Sequence, residues 1–418
     1  MTAPRVLFHV QHLLGIGHLQ RSLRIAEALV ERDIAVTLVQ GGPPRPEPAG
    51  ADGIDIVQLP PIRARDATFA LVDETGGPVD DALRIARRER LLAAFAETLP
   101  DAVIIEGFPF ARRAFRFELD PLIAAARAAD TPVICSVRDI PTVRADPARL
   151  ASVVARVRDD FAAVLVHGDA GFIPFDVAFP AAPEIADRLH YTGYVAANSL
   201  SAPGGGEGQG EVGDSRGART FPPHPTAAAR RPPSPPAVVL WGRRGEGEGE
   251  ILVSVGGGAA GRALVTAALE ARRQGCLAER GWRILAGSSL TEAEIAATRR
   301  KAPAGLTIER FRTDFPALLR RCHVSVSQAG YNTVLDILAA GTRAVLVPFA
   351  AERETEQLIR AEHLVARGAA VLLSESDLTP ATLAAAIERA AASEPWQIAL
   401  DTDGARRSAA LIAGLIRR

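Results

Sequence analysis

Short apolar runs recur along this chain at the rhythm of strand, turn and helix, and that rhythm leaves few folds open. The runs Arg5–Val10, Ile34–Gln40, Ile54–Pro60, Asp101–Phe110, Pro132–Ile140 and Ala162–Asp169 are rich in β-branched residues. Helical apolar spacing follows the first of them, with Leu19, Leu23, Ala26 and Leu29 on one face of His18–Glu31. Asp80–Leu99 is a second such helix, with arginines on its wet side. Unbroken apolar strands alternating with helices predict an α/β class, a mostly parallel sheet covered on both faces. Ligands of such sheets gather beyond the carboxyl ends of the strands. Glu106, Arg138, Asp139 and His167 fall at those ends.

The same plan restarts at Ile251 and runs through Trp282–Gly287, Leu306–Phe311, Val324–Ser327 and Ala369–Leu373, with a helix over Pro380–Ala392 and a last Ala/Arg helix. A chain of 418 residues is too long for one ordinary domain and suits two. Between the halves, from about residue 198 to 250, Gly, Pro, Glu and Arg replace aliphatics, apart from Ala237–Trp241. Such a segment buries too little apolar surface to order itself. The expected division is therefore 1–197, a linker or disordered insertion over 198–250, a second domain over 251–395, and a C-terminal helix over 396–418 that crosses back to the first domain.

Apolar residues make up 48% of the chain and its net charge is -1, which speaks against a nucleic-acid partner. No apolar run reaches the ~20 residues of a membrane span, and the N-terminus leads straight into a strand without a signal peptide. Cys135, Cys276 and Cys322 are far apart and match no metal or redox spacing, so no metal ligand set is expected. These features point to the cytoplasm, with room for peripheral contact on the inner face of a membrane. Arg112, Arg113 and Arg116 beside Phe108, Phe110, Phe115 and Phe117 offer either a basic-rimmed apolar patch for that purpose or ordinary core.

Three stretches carry chemistry. Gly256–Gly261 (GGGAAG) follows a strand and opens a helix, a pattern that brings backbone N–H groups to a phosphate. A dinucleotide site would add an acid at the end of the next strand, but that strand ends at Gly287. The absence of a GKS or GKT sequence excludes a P-loop. His18 follows Gly17 where the first loop becomes a helix, a place that lowers a histidine pKa and suits a general base, although capping or packing would also put a histidine there. Val324–Gln357 reads as strand, Gly turn, helix from about Tyr331 to Ala340, strand, and a loop carrying Glu356 and Gln357.

The segment from Gly330 to Gln357, GYNTVLDILAAGTRAVLVPFAAERETEQ, resembles the donor-binding signature of glycosyltransferases with two facing Rossmann-like domains, the GT-B fold. It is most similar to the MurG-like transferases of UDP-N-acetylglucosamine and to a bacterial group of glycosyltransferases related to them. The GIGH loop before His18 and the GGGAAG loop resemble that family's two Gly-rich loops. The resemblance implies an α/β GT-B enzyme that moves a hexosyl or N-acetylhexosaminyl group from a nucleotide diphosphate sugar to a hydroxyl, with inversion and without a metal or cofactor. It implies His18 as the base or the group that orients the acceptor, and Asp336 as ligand of the ribose hydroxyls; Glu106, at the sheet edge where an acceptor would bind, is the second catalytic candidate. Gly257, Gly258, Ala259, Arg262, Gln328, Gly330, Asn332 and Thr333 would approach the diphosphate. Glu356 and Gln357 would contact the sugar, and Phe311, flanked by Arg310 and Arg312, would hold the base. The chain departs from its relatives in having Asp336 where they have Glu, and Gln328 where many have His. The acceptor is a small molecule, a glycan or a lipid-linked molecule on this reading. A nucleotide-sugar 2-epimerase and a non-catalytic nucleotide-sugar-binding protein share the architecture and stay open.

Overall fold

A computed structural model describes residues 3–13, 17–44, 53–65, 70–141, 146–196, 238–241, 249–255, 260–287, 290–310, 312, 314–349, 355–394 and 396–416. The first half runs β1 (Arg5–Val10), α1 (Gly17–Val30), β2 (Ala35–Gln40), β3 (Ile54–Gln58), β4 (Arg63–Ala64), β5 (Leu71–Val72), α2 (Asp81–Thr98), β6 (Ala102–Glu106), α3 (Arg116–Ala128), β7 (Val133–Arg138), α4 (Pro147–Asp160), β8 (Ala163–His167) and β9 (Leu189–Tyr191). Seven of these strands form one parallel sheet in the order β3-β2-β1-β6-β7-β8-β9. Its central strands are buried throughout: β6 and β8 expose no residue, and β1 exposes only Arg5. That burial explains why they read as unbroken apolar runs rather than alternating ones. The caps are as local sequence dictates. Asp80 accepts from the Leu83 N–H at the start of α2, and Asp146 precedes Pro147 at the start of α4.

The second half continues with β10 (Val238–Trp241), β11 (Ile251–Ser254), α5 (Ala260–Arg273), β12 (Trp282–Leu285), α6 (Glu292–Lys301), β13 (Leu306–Glu309), α7 (Phe315–Arg321), β14 (Val324–Ser327), α8 (Tyr331–Ala340), β15 (Ala344–Leu346), α9 (Glu356–Val365), β16 (Val371–Leu372), α10 (Pro380–Ala391), β17 (Gln397–Leu400) and α11 (Gly404–Ile416). A second parallel sheet has the order β13-β12-β11-β14-β15-β16. Helix α8 ends where Gly341 takes a left-handed φ of 65° and returns its N–H to Ile337 and Leu338 carbonyls.

The segment from 198 to 250 lies outside the described residues except for β10 and residues 249–250. β10 pairs antiparallel with β17, so this stretch of the expected insertion supplies a strand. After β17 the chain crosses to the first half. The Tyr194 N–H donates to the Asp401 carbonyl, and the Gly404 N–H donates to the Tyr194 carbonyl. A Cβ on Gly404 would stand 2.4 Å from the Gly193 oxygen, so only glycine permits the crossing. α11 then buries Ala409, Ile412 and Ala413 in one core with Leu19, Leu23, Ala26 and Leu29 of α1.

Phe108, Phe110 and Phe115 are buried in the first-domain core and Phe117 is half-buried against it. They are core residues rather than an exposed patch. No described helix is long and apolar enough to cross a membrane.

Candidate active site

Each sheet reverses its strand order once, and a parallel sheet opens a crevice at such a point. In the first sheet the reversal lies between β1 and β6. The loop after β1 leads into α1 and His18, while β6 ends on Glu106. In the second sheet it lies between β11 and β14. There the sequence GGGAAG follows β11, with residues 256–259 outside the described residues, and the chain after β14 holds Gln328–Gly330 and the start of α8. The two crevices face each other. A Cβ placed on Gly17 would stand 3.0 Å from Asn332 Nδ2, so the N-termini of α1 and α8 meet across the domains.

On the first-domain wall, His18 Nδ1 lies 2.7 Å from Glu106 Oε1. Arg21 Nη2 donates to the same oxygen at 2.6 Å, and Arg112 Nη2 is 3.7 Å from Oε2. Burial raises the Glu106 pKa, but His18, Arg21 and Arg112 outweigh it and hold the carboxyl below its usual range. An ionised Glu106 fixes the proton on His18 Nδ1 and leaves the Nε2 lone pair as the basic site. Burial lowers the His18 pKa most, against the pull of Glu106, and the Arg112 and Arg138 charges lower it further. The imidazole is therefore neutral at physiological pH.

The second-domain wall is the face of α8 on which Asn332, Thr333 and Asp336 are half-buried, at the helical spacing of neighbours. The α8 N-cap, Gly330, makes no side-chain cap bond, so the first backbone N–H groups of a ten-residue helix face the cleft with their dipole. Asn332 Oδ1 is buried without a hydrogen-bond partner among the described residues. Burial lifts the Asp336 pKa to about 6, with Arg24 of the first domain as the opposing charge. A carboxylate so placed gains strongly from hydroxyl donors.

Several expected residues are occupied by protein groups. Glu356 accepts from Arg138 Nη1 at 2.8 Å and lies 3.8 Å from Arg360. Gln357 Oε1 accepts from the Phe349 N–H at 3.1 Å and braces the chain that leads to α9. Arg262 is exposed and paired with Glu294 of α6 at 2.6 Å. Arg310 donates to the Gly287 and Leu290 carbonyls, tying together the chain after β12 and the chain after β13. Arg312 pairs with Asp314. Gln328 is half-buried at the end of β14. His167 is fully buried, with its ring between Ser136 and Thr192 and its carbonyl accepting from the Tyr331 hydroxyl. Gly257, Gly258, Ala259 and Phe311 lie outside the described residues.

Two residues central to the cleft floor were not legible as such. The Tyr331 hydroxyl donates to the His167 carbonyl and accepts from the Val195 N–H, pinning α8 to the first domain. Arg360 donates to Asp139 through Nε and Nη2 at 3.2 and 2.9 Å, and to the Ala329 carbonyl. Arg21 and Arg360 both lie over the Tyr331 ring, 5.5 and 5.8 Å from its centroid. An arginine on the apolar face of α9, four residues after Glu356, was the available signal.

Two parallel-sheet domains that meet at their reversal points define the GT-B architecture of sugar transferases. The solved glycotransferase of kitacinnamycin has the same fold, with a TM-score of 0.56 at 17% identity over 99% of this chain and 94% of that one. Acinetobacter baumannii MurG has a TM-score of 0.52 at 17% identity over 99% of each chain. Residues 251–413 match the glycosyltransferase family 28 C-terminal domain. The UDP-N-acetylglucosamine--N-acetylmuramyl-(pentapeptide) pyrophosphoryl-undecaprenol N-acetylglucosamine transferase of Xanthomonas axonopodis pv. citri (strain 306) is 36% identical over 149 residues. That match covers 35% of this chain and 34% of the relative, about a third of each. The Nitrosococcus oceani enzyme of the same name is 42% identical over 79 residues, covering 19% of this chain and 22% of the relative.

Proposed function

We propose that the protein is a glycosyltransferase that moves a hexosyl or N-acetylhexosaminyl group from a nucleotide diphosphate sugar, a UDP-sugar first, to a hydroxyl acceptor. The observation that carries this reading is the placement of a neutral His18, held by an ionised Glu106, opposite the uncapped N-terminus of α8. Asp336 takes the ribose hydroxyls, and the N–H groups of Tyr331 and Asn332 take the diphosphate. Asn332 Oδ1 offers an acceptor to a donor hydroxyl. His18 Nε2 removes the proton of the attacking hydroxyl. The oxygen bonds to C1 from the face opposite the diphosphate as the C1–O bond to phosphate breaks, so the anomeric centre inverts. The nucleoside diphosphate departs with the bonding electrons, and the α8 dipole stabilises the charge it gains. Glu356 and Gln357 contact the sugar once the donor displaces Arg138 from Glu356. The donor is a substrate and the site needs no resident cofactor. Work at the inner face of a membrane fits a lipid-linked acceptor of the kind named for the relatives.

Calorimetry with UDP-, GDP-, TDP- and ADP-sugars tests the donor side. Asp336→Ala weakens the preferred nucleotide about 10-fold or more, the range for hydrogen bonds to a charged group. The pH dependence has a definite sign. Ribose hydroxyls donate to the ionised carboxylate, so binding lowers the Asp336 pKa and protonation opposes binding. Affinity is flat above about pH 7, halves near pH 6 and falls about tenfold by pH 5, and the pH effect vanishes in Asp336→Ala. A variant that binds as tightly as the parent would remove Asp336 from the site, and a protein that binds none of the four nucleotides would overturn the reading.

A further inference from the structure

We propose that Arg112 binds an oxyanion carried by the acceptor, a carboxylate or a phosphate near the hydroxyl that is glycosylated. This rests on the acceptor-side reading of the His18 corner. The Arg112 side chain is only 11% exposed, yet it donates no hydrogen bond to a described residue, and its Nε is buried without a partner. Among the described residues, the three most buried guanidinium groups each donate to a carboxylate. Arg21 has Glu106, Arg87 has Glu118, and Arg360 has Asp139. Among the described residues the acid paired with Arg112 is Glu106, at the long distance of 3.7 Å, whose other oxygen is shared by His18 and Arg21. Among the described residues around His18, the four cations Arg21, Arg112, Arg138 and Arg360 face the three acids Glu106, Asp139 and Glu356, which leaves one positive charge over. A buried charge without a hydrogen-bonded counterion is costly, and such an imbalance persists where a ligand supplies the missing partner.

The backbone gives independent support. Arg112 has a φ of 60° and a ψ of 21°, in the left-handed region that a residue with a long side chain seldom adopts. It follows the β6 end that carries Glu106, so this turn aims the guanidinium back at the catalytic pair. A planar fork with free donors suits a carboxylate or phosphate over a neutral sugar hydroxyl. An anion bound there also lies beside the imidazole and offsets the cations that keep His18 a weak base. Acceptor binding therefore strengthens the base at the moment it is needed.

The experiment uses full-length protein saturated with UDP, so that the donor diphosphate site is filled. Inorganic phosphate is titrated in one arm and acetate in the other, and the His18 ring is followed by histidine-resolved NMR. A saturable His18 shift with a raised pKa is expected in at least one arm, and the arm that responds tells phosphate from carboxylate. In Arg112→Gln the apparent affinity for that anion falls at least tenfold, while Arg112→Lys retains part of it. UDP binding by the same samples reports an intact fold. An equal response in parent and Arg112→Gln, or no response to either anion, overturns the proposal. Failure of UDP to bind overturns the donor reading instead, and the anion titrations are then read without it.

Discussion

His18→Ala is expected to lower sugar transfer by about 10²–10⁴-fold, the contribution of a positioned general base, while UDP affinity stays within about twofold. The imidazole is hydrogen-bonded to Glu106 of the first-domain wall, so its loss is expected to act on the rate and spare donor binding. Glu106→Gln tests the tautomer argument beside it. An uncharged amide no longer holds the proton on Nδ1, and the rate falls although His18 remains. The pH profile separates the two walls of the cleft. His18 must be neutral to accept a proton, and its pKa lies below the ordinary histidine value. The rate at saturating donor therefore stays flat as pH falls through 6.5. The donor KM rises below pH 6, where Asp336 becomes protonated. Rates are read with a UDP-sugar and a panel of hydroxyl acceptors, or as slow donor hydrolysis. Full transfer by His18→Ala would remove His18 as the base, and a rate at saturating donor that falls with an apparent pKa near 6.5 would overturn its lowered pKa.

Most of the architecture was written in local patterns. β1 and α8 occupy the expected residues, because unbroken apolar runs and a glycine at each end of α8 specify them without distant partners. His18 and Glu106 were legible as separate residues at two strand ends, but not as a pair. Their 2.7 Å contact joins positions 88 residues apart and depends on β1 and β6 being neighbours in the sheet. The acid–Gln pair illustrates the opposite limit. Glu356 and Gln357 stand where the donor signature puts them, yet in this structure one is held by Arg138 and the other by the Phe349 backbone. A one-dimensional motif records which groups reach the cleft, and says nothing of the protein partners that hold them before a ligand arrives. β10 was hidden for a further reason: its partner, β17, lies far along the chain, and the residues around β10 have the composition of a linker.

Arg360→Met is expected to destabilise the protein by about 3–5 kcal/mol, the range for breaking a buried ion pair from one side. Asp139 and Arg360 have side chains 0% and 1% exposed and come from opposite domains. Removing the guanidinium leaves the Asp139 carboxylate in a site where Tyr194 is its other side-chain partner, with a hydroxyl at 3.3 Å. The Ala329 carbonyl just before α8 loses its donor as well, and the Tyr331 ring loses one of its two covering cations. The cost should fall on the relation between the domains more than on either core, because neither apolar cluster of the sheets depends on this pair. Denaturant unfolding therefore shows an earlier transition, and small-angle scattering shows a larger radius of gyration before it. Asp139→Leu in the same chain removes the stranded charge and should recover much of the loss, since apolar replacement of a whole buried pair is often neutral. If Arg360→Met matches the parent in both stability and radius, the pair does not fasten the domains, and the facing of His18 and α8 must be held by Tyr331 and the α11 crossing instead.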